Sequence, residues 1–263
     1  MTGTVQTASI VMMGVAAALA FIIPIGLFVY FRKKGADILP FFIGCAVMLV
    51  FALTIEALIH QAVFKTNIGQ TILKNTVLYA VYGGLMAGLF EETGRLLAFK
   101  TVMKKYREKN VNALMYGAGH GGFEVAALLG ITMIGNISMS LMINSAGVTG
   151  VIASAPEAAE TLQAQIDALI TTPAYMFLIA VVERISAVIL HIALSVLVWF
   201  AVKNNKIVLY LLALLLHAAT DGAAALLSGI GINALIIEVI IIIMTVLIAL
   251  YARSIWKKYN TTM

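Results

Sequence analysis

Seven long apolar runs divide this chain, and they settle its fold class before any other feature is weighed. To within a few residues they cover positions 10–30, 39–63, 77–99, 111–135, 174–202, 207–228 and 232–251. Each is long enough to cross a hydrocarbon core of about 30 Å as a helix, which takes about 20 residues. The runs are unbroken and do not alternate over ten-residue strands, which excludes an outer-membrane barrel. Apolar residues make up 62% of the chain and charged ones 11%, against roughly 45–50% and about 25% in a soluble domain. A soluble fold is excluded, and so is a disulfide scaffold, because Cys45 is the only cysteine. The first run lacks a basic leader and is too long for a signal peptide, so it reads as a retained span. The expectation is an all-α, polytopic transmembrane helix bundle of about seven spans, multi-pass in the cell membrane. With no internal repeat or low-complexity tract, residues 1–263 read as a single domain.

The net charge of +5 would suggest nucleic acid in a soluble chain. Here the basic residues collect in alternate gaps, so the partner is the bilayer and nucleic acid is not expected. Arg32, Lys33 and Lys34 follow the first run; Lys100, Lys104, Lys105, Arg107 and Lys109 follow the third. Lys203 and Lys206 follow the fifth, and Arg253, Lys257 and Lys258 the seventh. The intervening gaps are poor in them. The positive-inside bias then puts the N-terminus outside and the C-terminus in the cytoplasm. One connection is odd. Segment 136–173 has no basic residue and mixes apolar stretches with Pro156, Glu157, Glu160 and Asp167. It reads as an external amphipathic helix over 157–170, a re-entrant half-helix, or an eighth span.

Most acidic residues, and all four histidines, lie inside the apolar runs: Glu56, His60, Glu91, Glu92, His120, Glu124, Glu183, His191, His217, Asp221 and Glu238, with Arg95 and Arg184 beside them. An ionisable group at the bilayer centre costs about 2.5–3.5 kcal/mol, so such groups are functional candidates. Glu91, His120, His191 and His217 each lie about nine to eleven residues from the basic end of their run, roughly 15 Å deep at 1.5 Å per residue. Four helices thus offer one layer of carboxylate and imidazole. His120 and Glu124, and likewise His217 and Asp221, are four apart and share a helix face. Gly84, Gly88, Gly117 and Gly121 are small-residue faces on which helices can close. His60, Glu56 and Glu238 stand outside any motif and read as interhelical packing groups.

Three imidazoles and a carboxylate suit zinc, with one position left for water. The metal set read from the sequence is His120, Glu124, His191 and His217. A metal-free site is the alternative, in which a buried glutamate takes a proton from water and histidines stabilise the oxyanion. Serine-hydrolase, zincin and paired-aspartate motifs are absent. Midplane carboxylates and histidines also mark ion pathways, so a proton- or cation-coupled transporter remains a rival, although no pair of similar halves is evident. A sensor or immunity protein with a relict site is a third reading.

Four segments taken together resemble a known family. They are Glu91-Glu92-Thr93-Gly94-Arg95, the stretch from Tyr116 to Glu124 containing His120, Glu183-Arg184 followed by His191, and His217 with Asp221. In order and spacing they look like the YhfC family of intramembrane metalloproteases. That family is grouped with the CAAX-processing and bacteriocin-immunity proteases and with the PrsW type. The resemblance covers about residues 80–225, and a catalytic core at about 77–228 follows from it. It implies an intramembrane endopeptidase acting on a membrane-associated or transmembrane polypeptide, with Glu91 or Glu92 as general base and His120 and His217 as oxyanion or metal groups. In the wider superfamily the first motif is one residue longer, which leaves Arg95 on a different face. His191 is added on its depth alone. Only one of two adjacent glutamates is expected to enter the site, which is expected to open towards the cytoplasmic half.

Overall fold

A computed structural model describes residues 3–260, and every regular element among them is helical. In chain order these are α1 (Thr7–Lys33), α2 (Leu39–Val47), a π-helical stretch (Met48–Glu56), α3 (Ala57–Phe64), α4 (Asn67–Lys74) and α5 (Thr76–Lys100). A 3₁₀ turn (Lys104–Tyr106) leads to α6 (Val111–Val125), a second π-helical stretch (Ala126–Ile131) and α7 (Thr132–Ala153). Then come a 3₁₀ turn (Pro156–Ala158), α8 (Ala159–Thr171), α9 (Met176–Lys203), α10 (Ile207–Gly229) and α11 (Ala234–Asn260). Six helical stretches are long and apolar enough to cross a membrane, and a seventh joins them if α4 and α5 form one broken span. This is a multi-pass membrane protein.

Local chemistry sets the breaks. Thr66 Oγ1 caps α4 by accepting from Gly69 N at 3.1 Å, and Asn75 Oδ1 caps α5 by accepting from Leu78 N at 3.0 Å. Two such caps, each worth about 1 kcal/mol, bracket the 111° bend between these helices. The fourth apolar run does not stop near 135 as the sequence suggests. Helical backbone continues to Ala153, with Ser140 Oγ bonding Asn136 O at 2.6 Å, so the polar residues that mimic a loop are satisfied within the helix. Gly147, at φ +73°, makes the real break. The acidic tract beyond it forms α8, a short helix in its own right, which buries Ile166 and Leu169.

Internal packing separates two compact units. One contains the residues up to Ile23 and Val125–Arg184. There Asn144 pins the N-terminal segment, accepting from Val5 N at 2.7 Å and donating to Val5 O at 2.9 Å. The other comprises Pro24–Glu124 and the described residues from Ile185 onwards, and it carries the candidate residues. Its centre is the C-terminal half of α9, where every side chain from 193 to 201 is buried. A helix that is apolar all round belongs in a core. Glycines let two pairs of helices close tightly in this unit. A Cβ on Gly88 would meet Leu214 O of α10 at 2.7 Å, and one on Gly117 would meet Ile192 Cα of α9 at 2.7 Å. The first approach brings α5 glutamates to α10, and the second brings α6 to His191.

Candidate active site

Four helices of the second unit converge at one buried cluster. Glu91, Glu92 and Arg95 come from α5, His120 and Glu124 from α6, His191 from α9, and His217 and Asp221 from α10. His120, His191 and His217 line up with ring centroids 4.8 Å and 5.2 Å apart along the series. Glu91 Oε2 accepts from His120 Nε2 at 2.9 Å and lies 3.8 Å from His191 Nδ1. Glu91 is 7% exposed, whereas Glu92 and Arg95 are fully buried.

The two glutamates divide their roles by direction. Adjacent helical residues point about 100° apart, and α5 has a partner on each side. Glu91 therefore meets α6, while Glu92 meets α10, bonding His217 Nδ1 at 2.8 Å and pairing with Arg95. Of the two, only Glu91 joins His191 and His217 as a candidate ligand; Glu92 touches the cluster through His217 Nδ1, with Arg95 paired to it. Arg95 also donates from Nη2 to His191 Nδ1 at 3.1 Å, so its ion pair with Glu92 ties α5 to α9 and α10 together.

Each of two imidazoles has a carboxylate on one nitrogen. His191 Nε2 donates to Glu124 Oε2 at 2.7 Å, and His217 Nδ1 donates to Glu92 Oε1. Metal-binding histidines are usually oriented in this way, although here the second nitrogens already face Arg95 and Asp221. Glu91, His191 and His217 do offer ligand atoms that all lie within 4.8 Å of one another. That donor set, two imidazoles and one carboxylate, fits zinc. Two residues of the sequence-based metal set stand just outside it. His120 is bonded to Glu91, and Glu124 reaches across to His191 instead of its own-helix neighbour His120. Arg95 bonds the same His191 nitrogen that a metal would use, and would have to release it.

The surroundings of the cluster differ end to end. Towards the basic loops it is backed by Phe99, Tyr116, Leu194, Leu197, Trp199 and Ala213, all buried. Tyr116 lies under His120 at 6.0 Å between centroids and meets Phe99 edge-on at 4.6 Å. This packing closes the side on which the sequence led us to expect an opening. On the opposite side Asp221 Oδ2 is 3.5 Å from His217 Nε2, with its side chain 43% exposed. Glu183 and Arg184 pair with each other and belong to the first unit.

The profile of the YhfC intramembrane metalloprotease family matches residues 19–241, nearly the whole span of the bundle. The chain belongs to that family. It is 35% identical over 246 residues to the uncharacterized membrane protein YhfC of Bacillus subtilis (strain 168), covering 92% of this chain and 95% of that one. No solved structure matches. The clustered residues all lie inside the matched region of this YhfC-family chain. Sequence reading missed Tyr82, which bonds His60 at 3.0 Å. A lone tyrosine in an apolar run carries no signal of its own.

Proposed function

We propose that this protein is an intramembrane endopeptidase that hydrolyses a peptide bond of a membrane-associated or transmembrane polypeptide at the Glu91–His120–His191–His217 cluster. The observation that carries the reading is the convergence of Glu91, His191 and His217 within one ligand sphere, each imidazole backed by a carboxylate. The family's name supports the reaction class. His191, His217 and Glu91 would hold zinc. Bound there, the ion would polarise the carbonyl and make water acidic enough to attack near neutral pH.

The chain's own groups carry the rest. Glu91 and His120 share a hydrogen bond at 2.9 Å. Through the Glu91 oxygen that the ion would leave free, the pair takes the proton released by the attacking water and returns it to the leaving amine nitrogen, so the peptide bond and water become a carboxylate and an amine. Glu92, paired with Arg95, bonds His217 Nδ1 and holds that imidazole in one tautomer. Arg95 supplies positive charge beside the developing oxyanion. The bond from Arg95 to His191 Nδ1 favours a second reading, a metal-free site in which Arg95 keeps that place and the histidines donate directly to the oxyanion.

The topology that goes with this function has the N-terminus outside and the C-terminus in the cytoplasm. The test is cleavage of transmembrane peptides in proteoliposomes by the wild type and by Glu91→Gln. Loss of a general base costs about 10²–10⁴-fold, so Glu91→Gln should fall at least that far while Glu183→Gln keeps its rate. Gradient-driven uptake by a wild type that cleaves nothing would transfer the site to the transporter reading.

A further inference from the structure

The site is closed at one end and needs water. Beside it runs a second chain of polar side chains that the mechanism does not use. Glu56 ends the π-helical stretch Met48–Glu56, and His60 follows one turn later on α3. His60 bonds Glu56 Oε1 through Nε2 at 3.1 Å and Tyr82 of α5 through Nδ1 at 3.0 Å. The π-helical stretch that Glu56 ends packs against α5, the helix of Glu91. Polar side chains thus mark this side of the unit from Asp221, beside His217, to Glu56, His60 and Tyr82, and these last two sit near the turn where α3, α4 and α5 meet.

We infer that water reaches Glu91 along a hydrated crevice lined by Asp221, Glu56, His60 and Tyr82, entering from the α4 end of the bundle. Three observations converge on it. Glu56 is buried, while the side chains of His60 and Asp221 are 26% and 43% exposed. In a membrane the surroundings are lipid or water, and lipid costs about 2.5–3.5 kcal/mol per ionisable group. Two exposed groups on one side, with a buried carboxylate bonded to one of them, favour water there. Next, the π-helical stretch replaces regular helix where α2 passes α5, a distortion common at functional sites. It ends on Glu56 and so sets the rotation that turns this carboxylate inwards. Finally, the other approach is filled by Phe99, Tyr116, Trp199 and their neighbours, which pack into one buried apolar cluster. Glu56 and His60 are positioning residues in this account. They hold ordered water, which needs two to four polar partners.

The use made of that water rests on the hydrolytic reading, but the crevice can be tested without any cleavage assay. Hydroxyl-radical footprinting of the full-length protein in nanodiscs reads side chains that adjoin water. His60, Tyr82 and His217 should be oxidised severalfold faster than Tyr116, Phe99 and Trp199. Glu56→Leu should slow oxidation of His217 severalfold, and Glu56→Gln, which keeps the hydrogen bonds, should not. Equal or faster oxidation of Tyr116 and Trp199, or a His217 as protected as Trp199 in the wild type, overturns the inference. So does a folded Glu56→Leu protein whose His217 is oxidised at the wild-type rate. If Glu56→Leu does not fold, the wild-type contrast between His217 and Trp199 decides alone.

Discussion

The two sides of the histidine layer are built from the same helices yet obey different rules. Towards the basic loops, α5, α6, α9 and α10 contribute Phe99, Tyr116, Trp199 and Ala213, which are buried together in one apolar cluster. Towards α4 the same α5 and α10 contribute Tyr82 and Asp221, and α2 and α3 add Glu56 and His60. Apolar packing on one side fixes the helices, which lets Glu91 and the imidazoles hold their geometry. Polar residues on the other cost stability and give access. A site that must be rigid and wet separates the two demands along the helix axes.

That contrast can be tested by mutation on either side. The largest effect belongs to the packed side. Trp199→Ala removes a fully buried side chain that also donates to Asn110 Oδ1 at 3.1 Å. Truncating a buried aromatic costs about 3–5 kcal/mol, so unfolding in detergent should shift strongly. Replacement at near-wild-type stability would mean that this side is not a core. On the polar side Tyr82→Phe removes one hydrogen bond, worth about 0.5–1.5 kcal/mol, and should change stability little. A loss as large as that of Trp199→Ala would erase the contrast. The smallest effect lies outside the spans. Hydrogen bonds from Lys109 (2.6 Å) and Asn112 (2.9 Å) hold the Asp37 carboxyl below the usual carboxylate range. A lowered folded value means that this clasp contributes fully above the unfolded value and is lost as pH falls through the folded one. Acid titration of wild type against Asp37→Asn should therefore converge at low pH, and a gap that widens on acidification would reverse the sign.

Much of this was legible in the sequence because a membrane simplifies the reading. Apolar runs must be helices, and an ionisable residue inside one needs a reason, so Glu91, His120, His191 and His217 stood out by depth alone. Spacing was less reliable. His120 and Glu124 share a helix face, yet Glu124 bonds His191, because the Gly117–Gly121 face brings α9 closer than the next turn of α6. Arg95 was obscure for a similar reason: Glu92 is a neighbour on its own helix, but its other partner, His191, comes from α9 and is brought in only by helix packing. Glu56 and His60 read as packing residues because their meaning depends on Tyr82, a residue with no motif. The closed side was invisible, since Phe99, Tyr116 and Trp199 are ordinary residues of apolar runs until they are seen together.

The central claim is that Glu91, His191 and His217 form one metal-binding hydrolytic centre, and elemental analysis of the purified protein tests it most directly. The account predicts zinc at about one per chain, held by these three residues. His217→Ala and His191→Ala should lose it, while His60→Phe, on the water route, should retain it. A folded wild type that holds no zinc, yet cleaves its peptide in strong chelator, would contradict the claim and leave Arg95 in possession of His191.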